Sequence, residues 1–284
     1  MERLATLWIG KRLSFLELVC LKSMHNIGQT PILYRYEPIE NEPDFVEVRD
    51  AREIYPIDEM ILDTGKNHLE DPRILSDVFR IKLLKRTPYI WVDTDAYALR
   101  EHKSINGYFF ASRRMGMSNS IPNGVLRLPS DSKALNLLDS FVSSAGSIPP
   151  WWSDEIVKQY LDKYPDVSFK TLPLGVTGPE ALGYFLKLTG ENMQALAFGT
   201  LYPIRARDKK SFLISPRKFG PESFPQSYSI HLYASGIRRR LMRSTGIPKK
   251  GSFLDHLCEI TEVDATKHPI MHHHKNSSYS NISS

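Results

Sequence analysis

Tyr89-Ile90-Trp91-Val92-Asp93-Thr94-Asp95 is a short apolar run rich in β-formers that stops abruptly at two carboxylates separated by one residue. Alternate residues of a strand share a face. Where the strand ends the chain loosens, and both acids can turn toward one divalent cation. Hard oxygen ligands with no Cys or His beside them suit Mg²⁺ or Mn²⁺, ions that keep room for phosphate oxygens. The stretch therefore reads as the end of a buried strand carrying a metal site for a diphosphate-containing substrate, with Asp93 and Asp95 as catalytic and metal-binding residues. The same letters also fit a strand followed by an Asp-rich turn, its side chains bonded to nearby backbone N–H groups.

Upstream, Ile74 to Arg86 carries a helical pattern in which Leu75, Val78, Ile81 and Leu84 form an apolar stripe. Asp77 and Arg80, three apart, project from one face of that helix. They read either as a surface ion pair of small energetic weight or as polar groups near the acidic strand that bind substrate hydroxyls, work for which the planar guanidinium is suited.

Nearer the N-terminus, Ala5–Ile9 reads as a strand, Ser14–Met24 as a helix, Gly28–Pro31 as a turn and Ile32–Tyr36 as a second strand. This βαβ opening predicts an α/β fold with parallel strands joined by a right-handed crossover, and nucleotides bind beyond the carboxyl ends of such strands. Trp8 sits at one of those ends. It is a candidate for stacking on or touching the base of a donor nucleotide, and equally a core tryptophan. Downstream, Tyr97–Leu99, Gly107–Ser112 and Ser120–Leu128 read as strands, and Asp131 or Ser132 caps a helix over Lys133–Ser144. Trp151 and Trp152, after two prolines, read as an aromatic wall for an acceptor sugar or as plugs at a core edge.

Ser76-Asp77-x-x-Arg80, the apolar helix and the strand ending in Asp-x-Asp together resemble a family: the DXD-motif glycosyltransferases of the family 32 type. These are related to α-1,4-galactosyltransferase, the yeast initiating α-1,6-mannosyltransferase and the clostridial glucosylating toxins. The order continues with Asn123-Gly124-Val125-Leu126, Thr177-Gly178-Pro179-Glu180-Ala181-Leu182, Leu201-Tyr202-Pro203-Ile204 and Ile230-His231-Leu232-Tyr233, so the likeness runs from about Trp8 to Tyr233. Differences are Arg86-Thr87-Pro88 where relatives often carry two glycines, and His-Leu-Tyr where they often follow the aromatic with Asn.

The resemblance implies a GT-A-type nucleotide-binding fold over residues 1–263, with a mostly parallel central sheet flanked by helices. It implies metal-dependent transfer of a hexose from a UDP- or GDP-sugar donor to a glycan or lipid-linked acceptor, with retention and an α-linkage. Asp77 and Arg80 would then grip the donor sugar and ribose, and Asn123 would touch the donor. His231 would complete the Mn²⁺ or Mg²⁺ shell held by Asp93 and Asp95, unless it is an ordinary hydrogen-bonded core histidine. Two rivals remain beside this. A non-catalytic nucleotide-sugar-binding protein keeps the same residues. An Asp-x-Asp phosphatase or phosphotransferase would need Thr or Val where Tyr97 stands and would carry its motif nearer the N-terminus.

Bulk properties agree with a globular domain. The chain has 284 residues, 41% of them hydrophobic and 24% charged, and no apolar run approaches the ~20 residues that span a bilayer. Its N-terminus reads as a strand without a signal-peptide pattern. Cys20 and Cys258 read as buried thiols. Residues 264–284 read as a polar, disordered tail containing His272-His273-His274 and two sequons that matter only in a secreted protein.

The net charge of +5 hides an asymmetry, because residues 201–250 carry twelve Lys/Arg against Asp208 and Glu222. A basic face of this kind attracts diphosphates or an anionic lipid surface, or is simply solvated. No nucleic-acid-binding module accompanies it. These features together read as a cytoplasmic bacterial enzyme of polysaccharide biosynthesis, peripheral at the inner face of the membrane.

Overall fold

The computed structural model of the chain describes residues 2–64, 72–113, 119–144, 147–165, 167–168 and 171–271. β1 (Leu4–Trp8) is buried except at Trp8. The following helix α1 (Phe15–Asn26) starts at Ser14, whose N–H and hydroxyl donate to Glu17 Oε2 at 2.8 and 2.6 Å, as a capping pair does. Apolar side chains surround α1, and Phe15, Leu16, Leu18, Val19, Cys20, Leu21 and Met24 are all buried. A helix that is apolar on every side must lie between two layers. β2 (Ile32–Arg35) and β3 (Glu47–Asp50) come next, then α2 (Ile57–Thr64) and α3 (Pro72–Arg86).

Proline is tolerated in the first turn of α3 because that N–H has no intrahelical partner. The helix ends where Thr87 donates to the Leu83 carbonyl at 2.9 Å, one residue before Pro88 disfavours further helix. β4 (Ile90–Val92) then runs wholly buried into the acidic turn. Beyond it lie β5 (Ala96–Ala98), β6 (Ala111–Ser112) and β7 (Val125–Leu126). The helices α4 (Lys133–Val142) and α5 (Asp154–Lys163) follow. A wide helical turn at Val176–Glu180 feeds α6 (Ala181–Thr189). The chain finishes with β8 (Leu196–Ala197), β9 (Ser229–His231), α7 (Ala234–Leu241) and α8 (Phe253–Thr261).

The central sheet has the order β3-β2-β1-β4-β7. Its first four strands are parallel and β7 alone is antiparallel. The fold is therefore α/β with a mostly parallel five-stranded sheet flanked by helices. One layer is α3 against α4 and α4 against α6; the other is α1 against β5 and α8. β5 leaves the central sheet and pairs antiparallel with β9, while β6 pairs with β8.

The βαβ opening and the α3–β4 unit agree with the sequence reading to within two residues at each end. The strands expected over Gly107–Ser112 and Ser120–Leu128 shrink to two residues each. β3 lacks apolar alternation because it is an edge strand paired only with β2; Glu47 makes ion pairs with Arg3 and, within the strand, with Arg49. Residues 264–271, expected to begin a loose tail, pack onto the fold. Ile270 is buried and its N–H donates to Gly246 O at 2.8 Å, while His268 O accepts from the Phe15 N–H at 2.8 Å. Residues 272–284, with the three histidines and the sequons, lie outside the described residues. Cys20 and Cys258 are both free and buried. Among the described residues, no helix is long and apolar enough to cross a membrane.

His102 locks the far side of the sheet. It is wholly buried between the rings of Phe109 and Tyr228, donates from Nδ1 to Arg100 O at 3.0 Å, and leaves Nε2 unpartnered. Burial pushes its pKa down to about 4 from 6.5. Unfolded chains bind this proton more tightly than the folded one. Stability from neutral His102 is therefore complete above about pH 6.5 and declines as pH falls toward 4, by about 3 kcal/mol at the acid end. Urea unfolding between about pH 7 and pH 4 should show this fall, and His102→Phe, which keeps the ring packing, should remove most of it.

Candidate metal and donor site

The acidic turn closes with the Ala96 N–H donating to Asp93 O at 3.0 Å. Two neighbouring strands grip it. From β7, Gly124 O accepts from the Asp93 N–H at 2.6 Å; from β9, the Leu232 N–H donates to Asp95 O at 2.8 Å. The β5–β9 register sets Ala96 opposite His231, and this brings the imidazole to the acids across 136 residues of sequence. Glycine at 124 leaves these side chains their room, since a Cβ would stand 3.0 Å from both Asp93 Oδ2 and His231 Nε2 and make them shift by a few tenths of an ångström.

Each carboxylate has one oxygen committed and one left facing the centre. Asp93 Oδ1 accepts from Trp91 Nε1 at 2.7 Å and lies 3.4 Å from the Arg80 guanidinium, leaving Oδ2. Asp95 Oδ2 accepts from the Ala234 N–H at 2.8 Å, at the start of α7, leaving Oδ1. His231 Nε2 lies 3.8 Å from Asp93 Oδ2 and 3.3 Å from Asp95 Oδ1. Ligand atoms of the three side chains fall within 4.8 Å of one another, the only such grouping of His, Cys, Asp and Glu among the described residues. Two hard oxygens and one imidazole nitrogen, converging on one point, fit a divalent ion such as Mn²⁺ or Mg²⁺ once the imidazole gives up its proton there.

The charges are arranged to keep Asp93 ionised. Burial opposes charge on Asp93, but Arg80 and His231 more than offset it and hold the carboxyl below its usual range. Burial likewise opposes charge on His231, yet Asp95 and Asp93 raise its pKa above 6.5. Its Nδ1 accepts the Tyr233 N–H at 3.1 Å, so the neutral ring carries its proton on Nε2, toward the acids. An ion at Nε2 has to displace that proton and loosen the Tyr233 contact.

Arg80 is 6% exposed and its donors are spent on the protein. Nε donates to Ser76 O at 3.1 Å, one terminal nitrogen to Asn123 O at 2.6 Å and the other to Ser76 Oγ at 2.9 Å. The guanidinium also stacks 4.9 Å from the Trp91 ring centroid. The sequence reading has this residue gripping a donor; in the structure it lines the cleft, its hydrogen bonds go to Ser76 and Asn123, and its charge lies beside Asp93. Asp77 lies 3.5 Å from Arg80 and accepts from Asn123 Nδ2 and Thr177 Oγ1, each at 3.0 Å. Burial raises its pKa despite these partners. Gly178 makes the cluster possible, because a Cβ there would meet Asp77 Oδ1 at 2.6 Å.

These groups line a cleft of about 420 Å³ together with Trp8, Trp91, Thr94, Leu174, Pro179 and Arg238. The cleft opens beyond the carboxyl ends of β1 and β4, where open α/β sheets bind ligands. Trp8 forms one wall, with the Arg238 guanidinium 5.6 Å from its ring centroid and anchored by an ion pair to buried Glu17. Trp8, Asp77, Arg80, Asp93 and Asp95 are thus brought to one cleft, with Asn123 and His231 directly behind it. Trp151 and Trp152 are not. Trp151 packs on Phe141, Tyr184 and Phe185 and faces Glu180, and Trp152 packs on Tyr160.

Sequence reasoning missed Glu17, Ser76 and Arg238 as functional residues. Ser14-x-x-Glu17 is a capping signal that could have found the first. Arg238 was read only as one charge of a basic run, and nothing local separates it from Arg239 or Arg240.

No family model and no curated protein sequence matches the chain. Among solved structures it is similar to the PaToxG glycosyltransferase, at 15% identity and a TM-score of 0.43, over 66% of this chain and 69% of that one. That is a likeness of outline and says nothing of residues or chemistry.

Because the ion and the His231 proton compete, Mn²⁺ affinity should climb as pH rises through the raised His231 pKa, by up to about tenfold per unit below it. The metal-free protein shows the opposite sign. Stability from the protonated His231–acid contacts is full below about 6.5 and is lost as pH passes the raised value. Calorimetric Mn²⁺ titrations between about pH 6 and pH 8 should show the climb, and His231→Gln should flatten it while weakening binding.

Proposed function

We propose that this chain is a metal-dependent glycosyltransferase of GT-A type. It would move a hexose from a nucleotide-diphosphate sugar to a glycan or lipid-linked acceptor, with retention at the anomeric carbon. One observation carries the reading: ligand atoms of two acids and an imidazole converge at the floor of a cleft beyond parallel strands.

Asp93 Oδ2, Asp95 Oδ1 and His231 Nε2 would hold Mn²⁺ or Mg²⁺. A bound ion there supplies positive charge against the departing nucleoside diphosphate. The protein's own residues do the rest. Trp8 offers an apolar wall suited to a nucleobase. Asp77, kept in place by Asn123 and Thr177, presents a carboxyl group to the hydroxyls of the donor sugar. Arg80 works from behind, holding Asp93 ionised and correctly turned, and Arg238 adds a cation to the same wall as Trp8. The resemblance of the ordered motifs to retaining enzymes supports the stereochemical assignment. The donor's nucleotide and sugar are left to pocket contacts of small individual weight.

The test is nucleotide release from UDP- and GDP-sugars in Mn²⁺. Asp93→Asn and Asp95→Asn should each lower turnover by about a hundredfold or more, with folding intact by circular dichroism. Undiminished turnover in both variants rejects the metal assignment. Arg80→Lys should reduce Mn²⁺ affinity at unchanged pH, since a lysine cannot reproduce the forked contacts to Ser76, Asn123 and Asp93. A variant with normal Mn²⁺ affinity and only a raised donor KM would instead make Arg80 a donor-binding residue.

A further inference from the structure

The twelve Lys/Arg of residues 201–250 outnumber Asp208 and Glu222 by ten, in a chain of net charge +5, so the rest of the molecule carries −5. Both acids are already taken, Asp208 by Arg207 at 3.6 Å and Glu222 by Arg217 at 3.1 Å. Arg239, Arg240, Arg243, Lys249 and Lys250 are exposed, and none forms an ion pair with a described carboxylate.

The fold gathers these charges onto one part of the body. Gly236 of α7 lies close against the Lys209 side chain, such that a Cβ there would meet Lys209 Cε at 2.5 Å. Ser215 Oγ donates to Lys250 O at 2.6 Å, and the Arg217 N–H donates to Gly251 O at 2.9 Å. α7 itself joins the basic surface to the cleft: Ala234 and Arg238 line the cleft, while Arg239 and Arg240 stand exposed on the same helix.

We propose that this basic face, centred on Arg239, Arg240 and Arg243, docks the protein onto a bilayer of anionic phospholipid. Lys250 is set apart from it, sharing a groove with Asp255, Glu259, Glu262 and Asp264. Charge complementarity is the main argument, since uncompensated cations grouped on one surface are drawn to anionic lipid over a Debye length. The apolar side chain exposed within the segment is the aliphatic Ile214, at 46%, and no aromatic ring is among the exposed apolar side chains of the described residues. An aliphatic group lying between Lys210 and Lys218 in the chain suits a headgroup region. Single-stranded nucleic acid would call for stacking rings. Docking this way would hold the cleft at the membrane surface and favour an acceptor carried on lipid, a consequence that rests on the glycosyltransferase reading, whereas the docking itself does not.

The test is co-sedimentation of the full chain with phosphatidylcholine vesicles, with and without about 30% phosphatidylglycerol. Binding should need the anionic lipid and fall steeply when NaCl is raised to about 0.5 M. The combined change Arg239→Glu, Arg240→Glu and Arg243→Glu should weaken binding by about fivefold or more per residue. Changing the same three residues to Lys should preserve it, which separates lost charge from lost folding. Equal binding to neutral vesicles, no binding to anionic ones, or full binding by the Glu variant overturns the proposal. So does tighter binding to duplex DNA than to anionic vesicles at matched ionic strength. Because vesicle binding is read without turnover, its failure is distinct from failure of the Asp93 and Asp95 experiment.

Discussion

Two carboxylates fixed side by side at the end of a buried strand repel each other and lose much of their hydration, and much of the surrounding structure answers that problem. Like charges a few ångströms apart cost several kcal/mol unless cations stand beside them. Arg80 meets the cost from one side, stacked on Trp91 and tied to Ser76 and Asn123. His231 meets it from the other. The outer oxygens are taken by Trp91 and the α7 backbone, which leaves the inner ones convergent. When His231 gives up its proton the centre is short of one positive charge, which a divalent ion would supply.

The topology that creates this centre is a change of sheet. β4 is the last of the four parallel strands, with antiparallel β7 on its other side, and β5 belongs to a separate antiparallel pair with β9. The acidic turn is the point of departure, so it borders both sheets and also the edge strand β7. Only at such a junction can a group from near residue 231 and a glycine from near residue 124 reach one carboxylate. The close approaches at Gly124 and Gly178 follow from the same crowding. A methyl group at either position would press on a ligand atom or on Asp77.

The cleft is therefore asymmetric in charge. Its floor is acidic, from Asp77, Asp93 and Asp95, and its α7 side is basic, from Arg238 outward to Arg239 and Arg240. A substrate with a phosphate portion and a polyhydroxyl portion finds partners on both sides. The burial of Glu17 beneath Arg238 extends the pattern inward, since a buried carboxylate fixes that guanidinium over Trp8 at the cleft wall.

Much of this was legible in the sequence. The run Tyr89–Asp95 announced a buried strand ending in paired acids because apolar β-formers and paired carboxylates are local signals. The spacing of Asp77 and Arg80 announced a shared helix face for the same reason. Helix and strand periodicity likewise placed β1, α1, β2 and α3, since each buries a stripe that its own residues define. Other features needed the tertiary structure. Which way Arg80 spends its donors depends on Asn123, forty-three residues away, so no local pattern reveals its contacts with Asn123 and Asp93. Trp151 and Trp152 carry the composition of a sugar platform, yet helix packing turns them onto Phe141, Tyr184 and Tyr160. β3 is a strand only because β2 lies beside it. The chain by itself determined which residues could carry charge and which had to be buried. Long-range pairing decided which of those charges meet, because convergence within hydrogen-bond distance is set by strand register and not by sequence spacing.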